Sequence, residues 1–410
     1  MATKRQRHVH CTKALSETSS FSGCASYEFS GGEGTTISNA CTDPSTEQEP
    51  FRLRMHKLLL RSCLSTSYHL LQDSVAFALF KTYSIPTISK ILASTKELKS
   101  ADSISKRYAD TGILIATWVR CPINGYDKPE PGDDVKLGHS KDPKYDPRAN
   151  LAIARVNWLH SHYNIITLNT RSSQKWVERY GWRTFAPIER HAAFMFWVEV
   201  GHRMGIQGIP ETPEAFKEWV QEYEERAMYP AQTNHDVAWY TLEELIHVLP
   251  ETLGVRNFAR KLAIAMLDDN VREAMTLPDQ PQYIKTILHT TLKLAAWHVR
   301  YFHLPIQPAG LVESKLPDPS DGKPPLMHPK YYTSKPWYKP ESKSFFGQVW
   351  DGPTVKSGKY EDVPSANFKS EGYRPDTLGP LRYEHAGQDE VFRMAETLQG
   401  CPISSTWRAK

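Results

Sequence analysis

Two imidazoles stand two positions apart in Arg-Val-Asn-Trp-Leu-His-Ser-His-Tyr, residues 155 to 163, at the end of an apolar run that also holds an arginine. Histidine is the commonest metal ligand and titrates near neutrality. On a strand, His160 and His162 would share a face and resemble the paired ligands of a hydrolytic metal site. On a helix they lie about 200° apart, one on each side of the apolar face formed by Ala152, Val156, Leu159 and Tyr163. The run ANLAIARVNWL favours the helix, so the paired site loses ground to two boundary residues with polar tips and apolar bodies. Spacing alone does not choose between a ligand and a boundary residue.

Two arginines sharpen the question. Arg155 falls within the apolar face, where an unpaired guanidinium is costly, and this predicts a carboxylate partner. Arg107 and Thr111 form a similar couple one helical turn apart, with the threonine predicted to face inward. Two such donors suit a buried anionic group, for which the propionates of a haem would serve. They suit two structural salt bridges equally well, and these are commoner.

The elements that must position these residues are helical. Ser103 is placed to cap a helix through SISKRYADTGILIATWVR, whose face Ile104, Tyr108, Thr111, Ile115 and Trp118 turns inward and which Pro122 ends. Residues 122 to 147 read as a polar loop, and helix resumes from Asn150 to Tyr163. APIERHAAFMFWVEVGHRMGI, residues 186 to 206, is apolar nearly all round at its centre, with Pro187 in the first turn and Gly205 as C-terminal cap, so it belongs in the interior. Periodicity predicts further helices over 213 to 226, 234 to 248, 256 to 275 and 281 to 303. The last has Ile284, Leu288, Leu292, Ala295, Val299 and Phe302 on one stripe. Upstream, RLRMHKLLLRSCL, LQDSVAFALFKTY and TISKILAS are also helical. No alternating strand pattern of comparable length occurs. Ten of the 29 prolines lie between Pro305 and Pro353, which rules out continuous helix there and predicts an extended strap, with a short helix near Gln388 to Leu398 closing the chain.

Composition narrows the function classes. At 410 residues and 40% hydrophobic the chain can bury a large core, and its 50 Lys and Arg nearly balance 46 Asp and Glu. The residual charge is not gathered into a stripe, so nucleic acid is not an expected partner. Cys11, Cys24, Cys41, Cys63, Cys121 and Cys401 have neither disulfide-framework nor zinc-finger spacing and read as free thiols. Residues 1 to 50, rich in Ser, Thr and Gly, read as a flexible leader. A membrane-spanning helix needs about 20 largely apolar residues, and no such stretch is visible. HExxH, GxSxG, a P-loop and a strand followed by GxGxxG are all missing, so hydrolase, kinase and dehydrogenase readings have no motif behind them.

Several ordered strings carry a resemblance: AFALFKTYSIPTISKILASTKE, KRYADTGILI, RANLAIARVNWLHSHY, WVERYGWR, DDNVREAM, and in the tail MHPKYY, PWYKPE and EGYRPDTLGP. Together they are similar to the fungal mpaB-type ER-bound oxygenases, distant relatives of the latex-clearing rubber oxygenases, from about Ser74 to the C-terminus. The resemblance implies an all-α fold. A large single helical-bundle domain, residues 51 to 303, would enclose a haem b, and residues 304 to 410 would form a Pro-rich segment packed on it.

It further implies a helix histidine as axial ligand to iron. Trp158-Leu159-His160 matches the family's Leu-Met-His string, which makes His160 the ligand and His162 the alternative. Arg107 and Thr111 match an Arg-x-x-x-Thr element on the distal helix, where they would bind the cofactor and assist catalysis. Arg155 would serve a propionate or the structure. The implied reaction is oxidative cleavage or oxidation of a C=C bond in an apolar isoprenoid or polyketide-type substrate, with O2 as co-substrate, in fungal secondary metabolism. The implied location is the endoplasmic reticulum, with a membrane surface among the partners; cytoplasm is the alternative.

The chain also departs from the pattern. Asp110 stands where the family leads one to expect a lysine able to cap the iron. The segment NIITLNTRSSQK, residues 164 to 175, is shorter than expected, and no N-terminal anchor is visible. These departures lend weight to a degenerate member that keeps the helical scaffold without cofactor. A non-haem metallohydrolase using His160 and His162 is the other rival.

Overall fold

The structure, a computed structural model, describes residues 77–95, 101–123, 146–162, 178–302, 310–313, 317, 324–342 and 362–408, except positions 248, 333 and 401. The leader, the helices expected before residue 77, most of the loop over 122 to 147 and the short 164 to 175 segment lie outside these residues. Ten α-helices are named here: α1 (Pro86–Thr95), α2 (Ala101–Arg120), α3 (Arg148–Ser161), α4 (Pro187–Arg203), α5 (Pro213–Ala227), α6 (Gln232–Ile246), α7 (Val255–Ala265), α8 (Asp269–Ala274), α9 (Gln282–Phe302) and α10 (Gln388–Gln399). Among the described residues the fold is all-α. The only pairing of extended chain among the described residues is an isolated antiparallel bridge between Met327 and Tyr373.

The helices form for the reasons their sequences suggest, with instructive exceptions. α4 starts at Pro187, and the Glu189 carboxylate accepts the Ala186 N–H at 2.8 Å. It stops at a left-handed Gly205 (φ 77°) whose N–H, with that of Ile206, is taken up by the carbonyls of His202 and Gly201. α2 begins at Ala101, so Ser103 lies inside the helix and is not its cap. The helix expected over 256 to 275 is two helices. Asp268 takes extended backbone (ψ 147°) ahead of α8, as a short acidic side chain favours at a helix start.

Two apolar clusters organise the fold. One gathers α2, α3, α4, α10 and the tail around Leu151, Ile153, Phe196 and Tyr373; the other gathers α1, α6, α7 and α8 around Phe80, Val237, Leu242 and Met275. α2 packs against both α3 and α6 and so joins the two. The tail lies across α2 and α3: Trp337 Nε1 donates to Ser105 Oγ at 2.9 Å and α10 packs along α3. Within the tail, Arg374 and Asp376 pair at 2.7 Å with no exposed surface on the carboxylate, and the same guanidinium holds the Trp407 carbonyl.

Candidate functional site

α3 is the axis of the site. Every residue from Arg148 to Arg155 is fully buried, so over this stretch the helix has no solvent face. The single apolar face expected from Ala152, Val156 and Leu159 is therefore replaced by burial all round, which the small residues Ala149, Ala152 and Ala154 permit by letting neighbours approach. The helix leaves the core at its C-terminal end, where Trp158 and Leu159 are buried, His160 is half-buried, and Ser161 and His162 are exposed.

Arg155 fixes this helix to the tail. Its Nε donates to the Leu378 carbonyl at 2.7 Å, Nη1 to Ala386 at 2.9 Å and Nη2 to Tyr383 at 2.6 Å. The carboxylate expected as its partner is thus replaced by three carbonyl oxygens. Asp376, Asp110 and Glu384 act on it only through their charge, offsetting part of the burial that pulls its pKa down to about 10. Two glycines bring the tail closer still. Gly379 (φ 119°) lies where a Cβ would approach Leu159 to 2.8 Å, and a Cβ at Gly387 (φ 71°) would run into the Trp158 indole. Trp158 also donates to Glu390 at 3.0 Å. The two residues before His160 are therefore clamped from the tail side.

The two histidines differ in kind. His162 is exposed, its Nδ1 lies 2.8 Å from the Trp158 carbonyl, and its ring rests on Trp158 with centroids 4.3 Å apart. His160 has no hydrogen bond at either ring nitrogen among the described residues. Burial first, and the positive charge of Arg107 second, push its pKa down to about 4, so the ring is neutral at pH 7. The ring keeps some solvent-exposed surface and is nevertheless largely desolvated. Among the described residues no group of three His, Cys, Asp or Glu is arranged to hold a metal ion.

α2 supplies the other side. Arg107 Nη1 donates to Thr111 Oγ1 at 2.6 Å, and that hydroxyl donates to the Arg107 carbonyl at 2.8 Å. Both residues are half-buried. In its middle the inward face of α2 is rotated from the expected one: Ile104 and Trp118 are buried, but Tyr108, Thr111 and Ile115 are only half-buried, and the buried line runs through Lys106, Asp110, Ile113, Leu114 and Thr117. Asp110 explains the rotation. Its carboxylate takes Lys106 Nζ at 2.7 Å, Tyr338 Oη at 2.7 Å and the Gly379 N–H at 3.1 Å. Lys106 also donates to the Gly379 carbonyl at 2.7 Å. With this ion pair locked to the tail, Arg107 and Thr111 stay on the half-open side.

Sequence reasoning missed Tyr83. Its phenol is buried; burial raises its pKa, while the Arg107 charge and the nearby Thr241 side chain oppose the rise. Nothing in the spacing of ALFKTYSIP marks this tyrosine. Arg107 thus acts electrostatically on both Tyr83 and His160. Around Arg107 stand a neutral imidazole lone pair and the Thr111 hydroxyl.

The model for the ER-bound oxygenase mpaB/B'/rubber oxygenase catalytic domain matches residues 93–300, just over half of the chain, a span that holds Arg107, Thr111, Arg155 and His160. The chain belongs to this oxygenase family. The ER-bound oxygenase mpaB' of Penicillium brevicompactum is 26% identical over 352 residues, covering 79% of this chain and 76% of the relative. The ER-bound oxygenase mpaB of Penicillium roqueforti is 28% identical over 223 residues, 48% of this chain and 67% of the relative. The mpaB of P. brevicompactum is 29% identical over 186 residues, 40% of this chain and 42% of the relative. Within this oxygenase, the tail that clamps α2 and α3 lies beyond the matched catalytic-domain span. No described helix is long and apolar enough to cross a membrane.

Proposed function

We propose that this oxygenase uses haem b, whose iron His160 would hold, to cleave or oxidise a C=C bond of an apolar isoprenoid or polyketide-type substrate in fungal secondary metabolism. The observation that carries the reading is the state of His160: neutral, without a hydrogen-bond partner among the described residues, and held where a helix buried from Arg148 to Arg155 leaves the core. The donor set fits the group, since a neutral imidazole is what iron requires and a guanidinium suits a propionate. Haem, when bound, supplies the iron at which dioxygen is activated. In a cleavage both oxygen atoms would enter the two carbonyl products, so no external reductant is needed.

The chain's own residues do the rest. His160 gives its lone pair without first losing a proton, because burial and Arg107 have already made it neutral. Arg107, steadied by Thr111, presents positive charge and N–H donors to a propionate or to the distal side. Thr111 presents its hydroxyl from the same turn. Arg155, committed to three carbonyls, serves the site by holding the tail against α3. The relatives are named ER-bound, and we infer the same location for this chain.

Purified protein, supplied with haemin where needed, tests the reading. An intense Soret band and a stoichiometric pyridine haemochrome are expected for the wild type and for His162→Ala, and neither for His160→Ala. A protein that stays colourless after reconstitution, or equal loss in both variants, overturns it.

A further inference from the structure

α9 is buried along one line only. Ile284 and Leu288 are buried and Leu292 half-buried, but the expected inward stripe then fails: Ala295, Val299 and Phe302 are exposed. A second stripe is uncovered over the whole length of the helix. Tyr283, Ile287, Leu294, Trp297 and Tyr301 fall within about 80° of one another around the axis. Leu294, Trp297 and Tyr301 are 60%, 55% and 62% exposed. α7, which packs against α9, adds an exposed Phe258, and the turn before it a fully exposed Leu253. Thr290 interrupts this stripe between Ile287 and Leu294, but monomeric proteins seldom leave so many large apolar side chains on one helix face to water.

Charge says what covers it. α9 carries Lys285, Lys293 and Arg300 and not one Asp or Glu. Lys285 is paired with Asp279 at 2.7 Å, whereas Lys293 and Arg300 make no ion pair among the described residues. Both lie about 90° to one side of the stripe, where long cationic side chains can reach past an apolar boundary. A second copy would bring the same cations with no carboxylate on the helix to answer them. Residues 51 to 76 of this chain bring Arg52, Arg54, Lys57 and Arg61 against Asp73 alone. An anionic lipid surface offers what both lack: negative headgroups beside hydrocarbon, with an interfacial zone that tryptophan and tyrosine prefer.

We propose that α9 docks on the surface of an anionic lipid bilayer and lies in its interface, with Leu294 and Trp297 inserted and Lys293 and Arg300 at the headgroups. The proposal rests on the inferred ER location only for which membrane is met. It does not depend on haem.

The test is flotation of the full chain with phosphatidylcholine vesicles, with and without phosphatidylserine. The wild type should float with the phosphatidylserine vesicles and less with pure phosphatidylcholine. Leu294→Glu with Trp297→Glu should lower partitioning about tenfold or more, as the loss of two inserted apolar side chains requires. Lys293→Glu with Arg300→Glu should remove the preference for phosphatidylserine. Both double variants should keep the wild-type melting temperature, since they change exposed residues. Flotation that the apolar double variant leaves intact overturns the proposal. So does a sharp fall in that variant's melting temperature, which would mean the chain itself covers the stripe, and so does a wild-type dimer in light scattering that the variant dissolves. Fractionation of tagged chain from cells reads the ER location separately, so either idea can fail alone.

Discussion

Arg107 acts on His160 from the neighbouring helix, and its charge is the second of the two causes that keep the imidazole neutral. The relationship has a thermodynamic sign. Unfolded, the ring titrates near 6.5; folded, it does so at about 4. Above the higher value both states are neutral and the group contributes nothing. Between the two values the unfolded chain binds a proton that the folded one refuses, so folding weakens as pH falls through that window, and below about 4 the penalty is complete. Without added cofactor, the protein should therefore lose about 3 kcal/mol from this group between the two pH values, read by urea unfolding at a series of pH. His160→Gln should remove that share of the slope; an unchanged slope would deny that His160 is desolvated.

The two causes can be separated. Arg107→Gln removes the charge and leaves the burial, which is the larger cause. The His160 resonance, assigned by its loss in His160→Gln, should then titrate above about 4 and still below 6.5 in the haem-free protein. A full return to the free value would mean that Arg107 alone sets the pKa, and no movement would mean that its charge does not reach the ring.

What the sequence revealed of this site and what it hid have the same physical origin. Helix period is local, so α4, α5, α6 and α10 lie within a few residues of their expected spans, and the half-buried place of His160 agrees with a helix ending at solvent. Asp110 looked like a lost lysine because two of its partners, Tyr338 and Gly379, lie 228 and 269 positions away. Arg155 called for a carboxylate because a sequence displays acids and not carbonyl oxygens. The all-round burial of α3 depends on a tail more than two hundred residues downstream, and no window of periodicity spans that distance. α9 shows the reverse limit: its apolar spacing is plain, but spacing does not say which stripe meets protein.

The Lys106–Asp110 pair should behave as a buried ion pair with further hydrogen-bond partners. Asp110→Ala leaves the Lys106 ammonium without its carboxylate and removes the acceptor for Tyr338 and for the Gly379 N–H. The expected cost is about 3–5 kcal/mol in urea unfolding. Removing both charges, with Lys106→Met and Asp110→Leu together, should recover a large part of it, because the uncompensated charge is the dominant loss. A double variant as unstable as Asp110→Ala would show instead that the hydrogen bonds to the tail matter more than the charge.

The clamp on Trp158 can be isolated by comparing two glycines that differ in one respect. Gly387 and Gly400 flank α10, and both are left-handed, with φ of 71° and 76°. Alanine at either should cost about 1–2 kcal/mol for the backbone conformation alone. At Gly400 a Cβ meets nothing within 4 Å, whereas at Gly387 it meets the Trp158 indole. Gly387→Ala should therefore cost about 1–3 kcal/mol more than Gly400→Ala, the usual penalty for overfilling a packed contact. Because Trp158 stands two positions before His160, the Gly387 variant should also, on the haem-binding proposal, release haem faster at temperatures where both proteins remain folded. Equal melting temperatures for the two variants would show that Trp158 gives way freely and that the tail does not hold the histidine helix in place.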